Sequence, residues 1–351
     1  MKFSYIIFLA CLCLVYACTS KEKPATSTAI EQSIYRFNGL TMGSTYSVAY
    51  VDNHEHLGLQ KKVENMLATF VEKLSTYDST SLLSQFNQAQ EFVVAKNERY
   101  FLEVLYLSKR IYEETDGYFN PAIKPLVNYW GFGYKEKRPV EKVDKKQIDS
   151  LLQLTDFASL QIEEKGDSVY LKKGVLPLQL EYNAIAPGYA GDIIAEILEE
   201  NGIQNYLIEV GGELLAKGTL MNEKPWKIGI NVPKEDAKIT DFQAIVALQN
   251  SALGTSGNYR SYYQKDGKKY VHTVNPKTGY TEQNTLLSIS IFAPTCAEAD
   301  AYATACMVLG KDKTLAFLEK MPHIGAYLIF ANEKNELEEI WVNNTKAYFL
   351  E

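Results

Sequence analysis

The chain has 351 residues, 46% of them hydrophobic and 23% charged, a balance that supplies a large core and excludes a disordered or fibrous protein. Its formal net charge of -7, with no run of lysine and arginine, excludes a basic nucleic-acid-binding surface. None of its cysteines forms a CxxC pair, which leaves a redox motif or a zinc ribbon without ligands.

Residues 1–17 read as an export signal: Lys2 opens it, an apolar run follows from Phe3 to Tyr16, and small Ala17 precedes Cys18. The run is too short for a spanning helix. Val15-Tyr16-Ala17-Cys18 resembles a bacterial lipobox, in which the cysteine is lipidated and becomes the mature N-terminus. Residues 18–33 are polar and without apolar periodicity, so they read as a flexible tether, and residues 34–351 as the folded body. Loss of the signal removes Lys2 alone among the charges, taking the net charge from -7 to -8.

Tyr46 to Val51 alternates like a strand, and Gly58 to Thr76 places Leu59, Val63, Met66, Leu67, Phe70, Val71 and Leu74 at helical spacing. A second helix is predicted from Glu98 to Thr115, stopped by Asp116-Gly117. The turn after it, Tyr118-Phe119-Asn120-Pro121, displays two aromatics. Tyr134 to Asp156 is a charged excursion with a short helical pattern, followed by strands near Ser159 to Ile162 and Val169 to Lys172. Pro187 sits where a helix can begin, and Asn201-Gly202 closes it. Strands are predicted at Tyr206 to Val210, Trp226 to Val232, Phe242 to Leu248, Lys269 to Val274, Leu287 to Phe292, Ala326 to Ala331 and Leu337 to Val342. Thr295 to Leu309 is a helix with Thr295 as N-cap, Glu298 completing a capping box and Gly310 at its end. Cys296 and Cys306 fall on that helix about 15 Å apart by its rise, too far to bridge each other. Strands flanked by helices without a regular βαβ alternation predict a mixed α/β (α+β) body rather than a doubly wound sheet.

Asp300 and Thr304 are four apart and share one face of the Thr295 helix. A carboxylate beside a hydroxyl suits Mg²⁺, which takes oxygen ligands; the same spacing also suits a carboxylate bonded to a backbone donor and a threonine packed among alanines. The alanines around Asp300 let another backbone approach, and Glu181 to Tyr189, with small Ala184 and Ala186, is the segment suited to do so. His272 alternates with Val274 before the Asn275-Pro276-Lys277-Thr278-Gly279 turn, where it could accept a proton or serve as a hydrogen-bonded structural residue. Thr255-Ser256-Gly257-Asn258 could form an anion-binding nest of backbone N–H groups, and Gly211-Gly212 a close-approach turn. Neither a P-loop nor a dinucleotide-binding glycine motif is present.

Taken in order, Met42-Gly43-Ser44-Thr45, Leu74-Ser75-Thr76-Tyr77, Thr115 to Pro121, Glu181 to Asp192, Val210-Gly211-Gly212-Glu213, Thr255 to Tyr259, His272 to Gly279 and Ala299-Asp300-Ala301 through Thr304 resemble the ApbE family of FAD:protein FMN transferases. The resemblance implies an ApbE-like fold in two closely packed lobes. FAD would be the donor substrate, Mg²⁺ the metal, and a threonine or serine hydroxyl of another exported protein the acceptor. That hydroxyl would attack the FMN-side phosphorus, leaving phosphoester-linked FMN and releasing AMP.

By motif position, Met42, Tyr77, Tyr118, Phe119, Asn120, Glu181, Pro187, Thr255, Ser256, Gly257, His272 and Val274 would bind the nucleotide. The Ala184 carbonyl, Asp300 and Thr304 would hold the metal, with His272 and Asp300 as the catalytic pair. Lipidated Cys18 would tether the body to a membrane of the bacterial envelope, facing the periplasm. The family usually has Asp where this chain has Glu181, often Lys at Pro187, and more often Asp at Asn120. A Mg²⁺-dependent FAD pyrophosphatase, with water in place of the acceptor, and a non-catalytic lipid-anchored FAD-binding protein are the alternatives.

Overall fold

The computed structural model describes residues 32–133, 139–238, 240–259, 262–265, 267–282 and 284–350. The export signal, Cys18 and the tether up to residue 31 lie outside the described residues. Ser33, expected to end the tether, is instead the first residue of a strand. Gln32–Glu351 forms one unit by itself.

The chain opens with a hairpin of β1 (Ser33–Thr41) and β2 (Ser44–Asp52), in which Thr41 pairs with Ser44 around a two-residue turn. Both turn residues have positive φ, 49° at Met42 and 72° at Gly43, the hand that matches strand twist. Helix α1 (Leu59–Leu74) buries the predicted stripe except Val71, which is half-buried, and is followed by α2 (Leu82–Gln88), β3 (Glu91–Ala95) and α3 (Arg99–Glu114). Next come α4 (Lys124–Tyr129), α5 (Lys145–Leu152), β4 (Gln161–Lys165) and β5 (Ser168–Lys172), the last two forming a small sheet with β3.

Helix α6 (Ala186–Glu200) leads into β6 (Tyr206–Val210) and β7 (Glu213–Lys217), joined at Gly211-Gly212, both with positive φ. A separate hairpin, β8 (Trp226–Asn231) with β9 (Phe242–Leu248), precedes β10 (Ser251–Gly257), and β11 (Tyr262–Lys265) pairs with β12 (Lys268–Val271). The chain ends with β13 (Leu286–Ala293), α7 (Cys296–Leu318), β14 (Gly325–Ala331) and β15 (Leu337–Val342). In α7 the backbone leaves helical geometry at Gly310, the predicted stop, with φ 72° and ψ 176°, and then resumes to Leu318.

Eight strands form one antiparallel sheet in the order β1-β2-β6-β7-β10-β13-β14-β15. Alternation sends Ile289, Ile291, Ala326 and Leu328 to a core with α6 and α7, and Phe292, Tyr327 and Ile329 to a second core under the β8–β9 hairpin. The sheet is therefore covered on both faces, which explains why β13 is buried along almost its whole length, Ser288 and Ser290 included. The architecture is mixed α/β, as predicted. Among the described residues no helix is long and apolar enough to cross a membrane.

Candidate active site

The site is built where two backbones, those of α6 and β10, meet α7. Thr295 caps that helix by accepting from the Glu298 amide (3.3 Å). Asp192 of α6 reinforces the cap, its two carboxylate oxygens accepting from the Cys296 and Ala297 amides at 2.7 and 2.9 Å. The predicted capping box differs in one respect: the Glu298 carboxylate accepts from Arg110 of α3 at 2.7 Å. One turn further on, buried Asp300 accepts from the Gly188 amide at 3.2 Å. Gly188 lies in the first turn of α6, whose partial positive charge faces that carboxylate.

Two glycines permit this approach. A Cβ on Gly188 would lie 2.3 Å from the Cys296 carbonyl oxygen, and one on Gly254 of β10 would lie 2.6 Å from the Asp300 amide. The alanine-rich face of α7 thus receives α6 and β10 backbone to backbone. Ser256 Oγ of β10 then stands 3.5 Å from Thr304 Oγ1 of α7.

A cavity of about 460 Å³ opens above this junction, lined by Ala184, Asp300, Thr304, Thr255, Ser256, Gly257, His272, Val274, Tyr118, Phe119, Asn120 and Glu181. Met42, Tyr77 and Pro187 line a second cavity, with Phe70 and Leu74 of α1 and with Tyr182. Asn183 lines both, so the two adjoin.

The aromatic turn enters the first cavity from the end of α3. Phe119 is buried, whereas the Tyr118 ring has Lys277 Nζ 5.7 Å and Lys313 Nζ 5.3 Å from its centroid, and Lys313 donates to its hydroxyl at 3.1 Å. Asn120 is engaged locally: its amide nitrogen donates to the Thr155 carbonyl (2.9 Å), and its oxygen accepts from the Ala122 amide (2.8 Å). That bonding is one an aspartate could only half reproduce, since a carboxylate has no donor.

His272 stands exposed on the cavity wall with its ring edge-on to Phe132, centroids 6.4 Å apart. Phe132 stacks on Tyr263, and Tyr263 on Tyr270, so the β11–β12 hairpin and the α4 exit are bound by one aromatic series. The following turn is closed by the Gly279 amide donating to the Asn275 carbonyl (2.8 Å) and by Trp130 Nε1 donating to the Gly279 carbonyl (2.7 Å).

Electrostatically the floor carries an excess of acid. Burial pushes the Asp300 carboxyl up to about 7, against the pull of the Gly188 amide. Burial, then the neighbouring Asp300 charge, raises Glu213 well above the carboxylate range. Asp192 is likewise pushed up to about 7 by burial. Grouped carboxylates held toward neutrality are what a bound dication would return to their charged forms. The donors at hand, a carboxylate, a hydroxyl and the Ala184 carbonyl, are all oxygen, the set a hard dication takes.

Comparison with known proteins identifies the family. The ApbE family model matches residues 42–328. The chain belongs to the ApbE family. It is 33% identical over 315 residues to the FAD:protein FMN transferase of Escherichia coli (strain K12), covering 89% of this chain and 88% of that protein. With the Haemophilus influenzae protein of the same name it shares 34% over 308 residues, covering 86% and 88%. The fold is similar to that of the flavin transferase ApbE from Vibrio cholerae, with a TM-score of 0.80 at 30% identity and coverage of 91% of this chain and 100% of that one. The Pseudomonas stutzeri flavinyl transferase ApbE, in its apo form, gives 0.79 at 32% identity, covering 91% and 97%.

Two sequence expectations about this ApbE-family site are corrected. Thr255, Ser256 and Gly257 do not form a nest: they are extended residues of β10, paired with Ser290, Ile289 and Ser288, and the Thr255 amide donates to Glu213 (3.2 Å). Alternation cannot distinguish a loop from a strand of small residues. His272 is not within a strand, because β12 ends at Val271 and Val274 forms a single bridge to Thr281. Glu213, Asn183 and Thr273 line the first cavity and were not singled out as site residues. Of these Glu213 had a signal, its position directly after Gly211-Gly212.

Proposed function

We propose that this chain transfers FMN from FAD to a threonine or serine hydroxyl of an acceptor protein, using Mg²⁺ and releasing AMP. The observation that carries the reading is the pair of adjoining cavities. One gathers Asp300, Thr304, Ala184 and His272, and the other holds Met42, Tyr77 and Pro187, with Asn183 between. A dinucleotide, with two flat ends joined by a diphosphate, suits such a divided space. The names of the relatives support FAD as the donor and a protein as the acceptor.

Asp300, Thr304 and the Ala184 carbonyl would hold the cation. When bound, Mg²⁺ neutralises charge on the diphosphate and on the departing AMP. Tyr118, with Lys277 and Lys313 beside its ring, offers an aromatic face in a positive setting at the cavity wall. His272, exposed there, is reachable by a hydroxyl carried on another protein. It takes the hydroxyl proton as the oxygen bonds to the FMN-side phosphorus; the bond from that phosphorus to the bridging oxygen breaks, and AMP leaves with the electron pair. Asp300 acts by fixing charge at the diphosphate rather than by moving a proton.

The apolar run before Ala17-Cys18 supports an exported, lipid-anchored protein of the bacterial envelope, with an exported acceptor. The deciding assay incubates the full chain with FAD, Mg²⁺ and an acceptor domain. A covalent FMN mass on the acceptor with stoichiometric AMP is expected. Free FMN with unlabelled protein would make the enzyme a pyrophosphatase, and unchanged FAD would overturn both activities.

A further inference from the structure

The connection from β2 to α1 carries a second constellation, away from both cavities. Asp52 closes β2, and His54 and His56 follow at alternate positions before Gly58 turns the chain into the helix with φ 85°. The His56 Nε2 and Asp52 Oδ2 atoms are 2.8 Å apart, and His54 Nδ1 is 3.9 Å from Asp52 Oδ1. The two imidazole rings lie 4.5 Å apart by their centroids. One donor atom from each residue can be chosen so that all lie within 4.8 Å of one another.

We propose that Asp52, His54 and His56 form a binding site for a transition-metal dication of the zinc class, distinct from the Asp300 site. Two imidazole nitrogens and a carboxylate are the donors such ions take, whereas Mg²⁺ and Ca²⁺ require oxygen shells. Ligands bonded at about 2.0–2.1 Å around a tetrahedral ion stand roughly 3.3 Å from one another. With one donor atom from each residue the set spans up to 4.8 Å, wider than that value, so side-chain rotations, including release of His54 Nδ1 from the Asn53 side chain, would draw the ligands together.

The support behind the ligands is already in place. The His56 amide donates to the Tyr50 hydroxyl at 3.0 Å, its ring meets the Tyr50 ring edge-on at 5.8 Å, and buried Tyr50 stacks on Tyr35 at 5.3 Å. The loop is thereby held from behind while His54 faces solvent, which leaves the fourth position to water. The nearby cation, Lys62, is paired with Glu200 at 3.0 Å and so partly neutralised. A bound ion would tie the end of β2 to the start of α1.

The test titrates Zn²⁺ into the tag-free full chain under saturating Mg²⁺, by calorimetry, with Co²⁺ absorption as a second readout. One equivalent is expected in the wild type and in Asp300→Ala, with affinity falling by more than about 100-fold in His54→Ala and in His56→Gln, since even an outer-shell partner is worth roughly 10–100-fold. Flavin transfer with Mg²⁺ should be unchanged in His54→Ala. Unaltered zinc affinity in both histidine variants, or zinc uptake that disappears with Asp300→Ala, would overturn the proposal.

Discussion

The Gly188 amide donates to Asp300 Oδ2 across 3.2 Å, and this single bond joins the start of α6 to the second turn of α7. It exists because position 188 has no side chain: a Cβ would fall 2.3 Å from the Cys296 carbonyl oxygen and 2.9 Å from the Ala297 Cα. Backbone cannot yield as a flexible side chain does, so Gly188→Ala must force the two helices apart. Destabilisation of about 1–3 kcal/mol is expected, together with loss of Mg²⁺-dependent turnover. Thermal unfolding and the FMN-transfer assay check it; a variant with unchanged stability would show that the contact has slack.

Asp300→Asn separates activity from stability. The amide oxygen keeps an acceptor for Gly188, while the charge that the proposed Mg²⁺ would need disappears, so turnover should fall to background. Since burial already pushes the native carboxyl up to about 7, the metal-free variant should melt no lower than the wild type at pH 8. A lower melting temperature there would contradict a carboxylate held at a cost in the folded state.

Glu181 provides a pH prediction. Burial pushes its carboxyl up from an ordinary 4.5 to about 7, and the buried Lys124 ammonium opposes this. Between those values the folded protein keeps a proton that the unfolded chain has lost. The resulting stability is fully present below pH 4.5 and is lost as pH rises through 7. Glu181→Gln should therefore gain stability relative to the wild type as pH increases from 5 to 8. The gain is about 1–2 kcal/mol once the side chain's partial exposure to the cavity is allowed for. Parallel melting curves at each pH would count against it.

Met42 adopts φ 49° at the tip of the first hairpin, a conformation costly for a side chain of its size, and lines the second cavity. Met42→Gly should relieve the turn, leaving thermal stability unchanged or higher, while removing the apolar contact it would offer the proposed nucleotide. The expected signature is a KM for FAD raised about 10-fold with kcat little altered. A fall in kcat at constant KM would place Met42 in the chemistry instead.

His272→Ala is expected to lower kcat by roughly 10²–10⁴ while FAD affinity changes far less. Rapid binding measurements beside single-turnover transfer distinguish the two effects. Lost binding with normal turnover of bound FAD would exclude the base role.

Much of the frame was legible because it rests on local rules. The α1 stripe, the Asp116-Gly117 stop, the Pro187 helix start and the Thr295 cap each follow from residue type and spacing. The sequence does not predict strands β1, β3, β7, β10 and β11; β10 is made of Ser, Ala, Leu, Gly and Thr, whose extended form is imposed by β7 and β13 on either side. His272 falls outside a strand because the pairing of β12 with β11 ends at Val271, which alternation along the sequence does not show.

By itself the sequence determined which residue types could serve the chemistry: a carboxylate and a hydroxyl one turn apart, small residues that admit a backbone, and a histidine before a tight turn. Tertiary structure alone decided that Asp300 faces the α6 N-terminus and Glu213, that Ser256 reaches Thr304, and that the residues the family resemblance assigns to the nucleotide divide between two cavities meeting at Asn183. The reason is that helical and strand periods fix directions only within an element. The distances between elements are set by Gly188 and Gly254, where the missing side chains let whole backbones come together.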